Sequence, residues 1–121
     1  MPEELDEETL ALAHRVFDLA RSGERDGLAE LVAAGVPANL TNDKGDSLLI
    51  LAAYHDHPET VAMLLDHGAD TTRVNDRGQT ALAAAVFRQS ADGVGALLAG
   101  GADPALGAPS ALEVARFFEL P

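Results

Sequence analysis

A strict 33-residue period constrains this chain more than any other feature. Gly35, Gly68 and Gly101 stand one period apart, and so do Gly45 and Gly78. Leu31-Val32, Leu64-Leu65 and Leu97-Leu98 keep the same interval, and Ala69-Asp70 returns as Ala102-Asp103. Five columns in one phase describe stacked supersecondary units, none of which can bury its apolar face alone. The 121 residues make one domain of about four such units.

Within a unit the residues read as helix, tight loop, helix and a glycine-containing turn. Ser47 is placed to cap a helix running through Tyr54, with the small residues Ala52 and Ala53 beside Leu49 on its inward face. Asp56 and His57 break that helix. Pro58 suits the first position of the next, where its missing N–H costs nothing. Val61, Leu64 and Leu65 form an apolar stripe at helical spacing, and Gly68 stops the helix in a left-handed conformation. Asn42-Asp43-Lys44-Gly45 carries turn chemistry. Gly93 and Gly95 both fall inside one helix, so that segment is expected to be the least protected of the inner part of the stack.

These residues resemble the ankyrin repeat. The closest stretches are Asn75-Asp76-Arg77-Gly78-Gln79-Thr80-Ala81-Leu82 and Leu64-Leu65-Asp66-His67-Gly68-Ala69-Asp70. The resemblance covers about residues 10–121 and implies an all-α ankyrin-repeat solenoid: an acidic tail (1–9), a degenerate first repeat (10–42), two repeats (43–75 and 76–105) and a truncated last one (106–121). The family's Pro and His at the helix start are replaced by Leu48 and Ile50 in one unit and by Ala81 and Ala83 in the next. The helix starts are therefore expected to be less rigid. Ser110-Ala111-Leu112 follows Thr80-Ala81-Leu82 three positions sooner than the period requires, which leaves two full β-hairpin-like fingers, near 39–47 and 72–80. His14 falls in the helix-start column of the first unit.

Composition excludes several functions. There are no cysteines, hence no disulfide framework and no thiolate chemistry. No apolar run reaches transmembrane length, and Glu3, Glu4, Asp6, Glu7 and Glu8 stand where a secretory leader would be basic, so the expected location is the cytoplasm. A net charge of −12 repels phosphate backbones and anionic lipids. No nucleophile elbow, phosphate-cradling loop or metalloprotease motif is present, and neither an enzyme nor a cofactor is expected.

The resemblance implies a protein-binding module that uses its finger tips and the exposed ends of its first helices, which line a concave groove. By register the partner-binding residues are Asp43, Lys44, Asp46, Asp76, Arg77 and Gln79 on the fingers, with Tyr54, His55, Phe87 and Arg88 on the helix ends. Four of the five aromatic residues (Tyr54, Phe87, Phe117 and Phe118) fall in this helix-end region. Tyr54 and Phe87 read as apolar anchors. Phe117 and Phe118 either continue that surface or seal the open end of the core.

Other readings stay open from the residues alone. The acidic charge either keeps a monomer soluble, with Asp6, Glu7 and Glu8 favouring the start of the first helix, or recruits a basic partner as an inhibitor or immunity-type protein would. His55, His57 and Glu59 could hold a metal in a stress-related protein, although the resemblance assigns His57 to loop hydrogen bonding. Exposed Phe117 and Phe118 could pair two copies.

Overall fold

The computed structural model describes residues 7–119; Glu3, Glu4 and Asp6 lie outside the described residues. Seven helices follow one another: α1 (Glu7–Ser22), α2 (Arg25–Ala33), α3 (Leu48–Tyr54), α4 (Pro58–Asp66), α5 (Ala81–Phe87), α6 (Ala91–Ala99) and α7 (Ala111–Phe117). They form two layers. The odd-numbered helices pack in the order α1, α3, α5, α7, and α2, α4, α6 form a second row behind them. No strand occurs among the described residues, and the turns are closed by the isolated pairing of Thr41 with Ser47 and of Gly107 with Ser110.

A side-chain hydroxyl starts α3, α5 and α7. Ser47 Oγ accepts from the Ile50 N–H at 3.1 Å, Thr80 Oγ1 from the Ala83 N–H at 3.0 Å and Ser110 Oγ from the Glu113 N–H at 3.2 Å. Glu113 returns a bond to the Ser110 N–H at 2.8 Å, completing a capping box. Each such cap contributes roughly 1 kcal/mol to holding the helix start.

The outer helices end alike. The N–H groups of Val36, Ala69 and Ala102 reach back to the carbonyls of Leu31, Leu64 and Leu97, with the intervening Gly35, Gly68 and Gly101 at positive φ. A second left-handed column closes the inner helices at Gly23, Asp56, Gln89 and Glu119. Only the first of these is glycine, so the column has no compositional signal.

Leu48–Ala53 of α3 and Ala81–Val86 of α5 are buried without interruption. Each of these helices has an inner neighbour on both sides and an outer helix behind. The alanines of α5 allow that close approach, while Leu28, Leu64, Leu82 and Leu97 fill the space between layers. Burying each leucine is worth about 1.5–3 kcal/mol. The end helices bury less: α7 buries only Ala111 and Val114.

Helix α1 departs from the expected start. It begins at Glu7, within the stretch assigned to the tail, and runs 16 residues where the other inner helices run seven. His14 is therefore an exposed mid-helix residue and does not start a helix. Glu7 and Glu8 occupy the first turn of α1, where negative charge is favourable.

Candidate binding face

The ends of the inner helices and the tips of the fingers meet on one side of the stack. Because α3, α5 and α7 all stop at an aromatic residue, their register brings Tyr54, Phe87 and Phe117 to the same edge, with Phe118 as the residue that caps α7. The rings form a ladder. Tyr54 and Phe87 stack 6.2 Å apart with their planes 6° from parallel; Phe87 meets Phe118 at 5.9 Å and Phe118 meets Phe117 edge-on at 5.2 Å. His55 adds an edge contact to Tyr54 at 5.2 Å.

The ladder is only partly covered. Tyr54 and Phe118 are half-buried, whereas Phe87 is 46% and Phe117 80% exposed. Phe118 therefore closes part of the core, as one of the two sequence readings holds, but Phe117 seals nothing. Phe118, the residue that caps α7, lies against Phe87, and Phe117 is turned outward.

The fingers owe their shape to two asparagines one repeat period apart, Asn42 and Asn75. Asn42 Oδ1 accepts from the N–H groups of Lys44 and Asp46, both at 2.9 Å, and Asn75 Oδ1 accepts from Arg77 and Gln79 at 3.0 and 2.9 Å. Each tip is thus tied from within, and its neighbour ties it again. The Asp76 N–H donates to the Lys44 carbonyl at 3.0 Å, and the Ala108 N–H donates to the Gly78 carbonyl at 2.9 Å. Gly78 has φ +77°, and a Cβ there would lie 2.6 Å from the Ala108 carbonyl oxygen, so this contact requires glycine.

Asp46, expected on an exposed tip, is only 8% exposed, and its carboxylate accepts from Asn75 Nδ2 at 2.8 Å. Its main role is to fasten one finger to the next. Asp43, Lys44, Asp76 and Arg77 are exposed, and Gln79 is half-buried.

Between the finger tips and the end of α3 lies a cleft of about 600 Å³. Eight of the ten expected partner-binding residues line it: Asp43, Lys44, Asp46, Tyr54, His55, Asp76, Arg77 and Gln79. Ile50 and Leu51 of α3 floor it, and Arg21 of α1, which the repeat register puts one unit before Tyr54 in the same helix-end column, closes one side. Phe87 lies in a smaller depression of about 300 Å³ beyond Tyr54, which shares Arg77 and Gln79 with the cleft and adds Pro109 and Val114. Arg88 lines neither, but its guanidinium lies 6.0 Å from the Tyr54 ring centre and that of Arg77 lies 5.9 Å away.

The histidines have separate situations. His57 Nε2 donates to the Arg21 carbonyl at 2.7 Å, and its ring covers Gly23, so it fastens the second unit to the first. His67 hydrogen-bonds the Met63 carbonyl at the end of α4. Burial holds the His55 imidazole below its usual pKa of 6.5, assisted by repulsion from His57, Arg21 and Arg88 and opposed by Asp46. Among the described residues no three His, Asp or Glu side chains gather as metal ligands, and no helix is long and apolar enough to cross a membrane.

Paired helices repeated in phase, with tips and helix ends displayed on one edge, define a repeat solenoid. A family model described as ankyrin repeats (3 copies) matches residues 16–107, and the chain belongs to the ankyrin repeat family. A putative ankyrin repeat protein of Pseudomonas aeruginosa is 53% identical over 60 residues, which are 50% of this chain and 35% of that relative. The aligned stretch is thus about a third of the relative's length. The crystal structure of the human ASB11 ankyrin repeat domain is similar with a TM-score of 0.70 and 32% identity, over 74% of this chain and 40% of that one. Ankyrin repeats are typically non-catalytic modules that mediate protein–protein interaction.

Proposed function

We propose that this chain docks a partner protein onto the face formed by the finger tips, the cleft and the aromatic ladder. The observation that carries this reading is the ladder itself. Four aromatic rings run across the stack, and Phe87 and Phe117 keep large exposed areas in a chain with only five aromatic residues. Contiguous aromatic surface beside charged groups is the composition of a binding hot spot. Tyr54 and Phe87 act as the anchors in this reading. Asp43, Lys44, Asp76, Arg77 and Arg88 fix orientation and charge match, and Gln79 joins the two depressions.

Affinity capture with the whole chain and with a Tyr54→Ala/Phe87→Ala variant of unchanged helicity tests the assignment. Partners should be lost from the variant by tenfold or more, while Glu30→Ala on α2, remote from the face, should retain them. Equal recovery on wild type and the ladder variant would refute the docking face.

A further inference from the structure

Half of the cationic side chains of this chain lie in or beside the cleft, two of them near the Tyr54 ring. Arg21, Lys44 and Arg77 line the cleft, and Arg88 lies over Tyr54, four of the eight Lys and Arg in a molecule of net charge −12. Only three of the twenty acids line the same cleft, and one of them, Asp46, is engaged by Asn75. The lining of the cleft is thus balanced, three cations against three carboxylates, and Arg88 at its edge makes the neighbourhood of Tyr54 positive by one in a molecule that is otherwise strongly negative.

The pairing pattern is as telling. Ion pairs among the described residues join Arg21 to Asp18, Arg25 to Asp26 and Arg73 to Asp70. Lys44, Arg77 and Arg88 make none among those residues, nor do Arg15 and Arg116 away from the cleft, although carboxylates outnumber cations by twenty to eight. The two arginines rest near the face or edge of Tyr54, which orders a guanidinium while leaving its N–H groups directed elsewhere. An ordered guanidinium fork beside apolar surface suits a carboxylate, which it can hold through two parallel hydrogen bonds.

From these observations we infer that the cleft takes an acidic segment of a partner protein in which aspartate or glutamate flanks an aromatic side chain. The aromatic group extends the Tyr54–Phe87 stack, and the carboxylates meet Arg77, Arg88 and Lys44. This rests on the reading of the ladder as the docking face and specifies its occupant. A basic segment, which the total charge alone would favour, would bring like charge onto Lys44, Arg77 and Arg88, none of which has a carboxylate partner among the described residues. The whole-molecule field still repels an acidic segment at a distance, so its association speeds up as salt is added, whereas that of a basic segment slows.

Selection from a random peptide library on the wild-type chain, with counter-selection on Tyr54→Ala/Phe87→Ala, reads the occupant directly. Enrichment of aromatic residues flanked by Asp or Glu is expected. Ladder-dependent peptides that are neutral or basic would overturn the acidic assignment and leave the docking face standing; the absence of any ladder-dependent peptide would overturn both. A fluorescent peptide alternating aspartate with phenylalanine then serves as the defined probe. Its affinity should fall about tenfold in Arg77→Gln/Arg88→Gln, and by a similar factor when its aspartates become asparagines. Equal affinity in either comparison overturns the proposal, as does tighter ladder-dependent binding of oligothymidylate, which would make the surface one for nucleic acid. Concentration-dependent dimerisation of the wild type that Arg77→Gln/Arg88→Gln abolishes would replace the partner with a second copy of this chain.

Discussion

Tyr54 and Phe87, equivalent residues of successive repeats, lie with their rings within 6° of parallel and their centres 6.2 Å apart. Each is the last residue of an inner helix, so the stacking of rings follows from the stacking of repeats. The pair should be coupled before any partner arrives. A double-mutant cycle with Tyr54→Leu and Phe87→Leu, followed by urea denaturation, should give an interaction of about 0.5–1.5 kcal/mol. A value near zero would mean that the rings stack only by register and contribute nothing jointly.

The bond from Asn75 to Asp46 joins two fingers through a buried contact. Asn75→Ala leaves the Asp46 carboxylate without this donor and removes the bracket that holds Arg77 and Gln79. It should destabilise the chain by about 1–3 kcal/mol, while Asp46→Asn, whose amide oxygen still accepts, should cost less. Chemical denaturation of the two variants checks the order. The reverse order would assign the stabilisation to the negative charge rather than to the hydrogen bond.

These two contacts also separate what a linear reading can see from what it cannot. The repeat columns are enough to place Ser47 and Thr80 as caps, Gly68 as a stop and Tyr54 beside Phe87, because each needs only local propensity plus a repeated phase. Asp46 looks like an exposed tip residue in the same reading. Its burial depends on Asn75, a side chain that crosses from the next unit, and nothing in its own neighbourhood records that. The extent of α1 is partly legible: Glu7 and Glu8 mark a first turn where negative charge is favourable, whereas the repeat register alone would start the helix at His14. Phe118 is ambiguous in the sequence because two adjacent rings end α7, and only the packing of α7 on α5 shows which of them meets Phe87.

The two glycines of α6 should behave differently when replaced. A Cβ on Gly95 meets nothing within 4 Å, so Gly95→Ala should gain roughly 0.5–1 kcal/mol from helix propensity alone. A Cβ on Gly93 would lie 3.0 Å from Ser90 Oγ, the group that caps the same helix, and Gly93→Ala should gain less or lose. Hydrogen exchange adds a second check: amides of α6 should exchange faster than those of residues 59–66, and Gly95→Ala should narrow the gap. Equal protection in the wild type would contradict the expectation.

Two groups give the chain a dependence on pH. The folded state holds His55 below 6.5, so the unfolded chain takes up that proton first; stability is complete above pH 6.5 and declines as pH falls from there through the lowered folded value. His55→Gln should flatten this decline in urea midpoints measured across that window. Asp70 is lowered from 3.8 chiefly by the Thr72 hydroxyl and N–H, with Arg73 assisting. Its contribution is present above 3.8 and disappears as pH drops through the depressed value, and Asp70→Asn should remove that acid limb. Profiles of both variants superimposable on the wild type would place the titrating groups elsewhere.

Lys44, at the rim of the cleft, is the only lysine in the chain. Apart from the terminal amine, every reagent that seeks a primary amine is therefore directed to this one place. An acyl group attached there would neutralise a single charge beside Tyr54 and leave the rest of the surface untouched, and a crosslinker anchored there would report only what sits within its own length of that cavity.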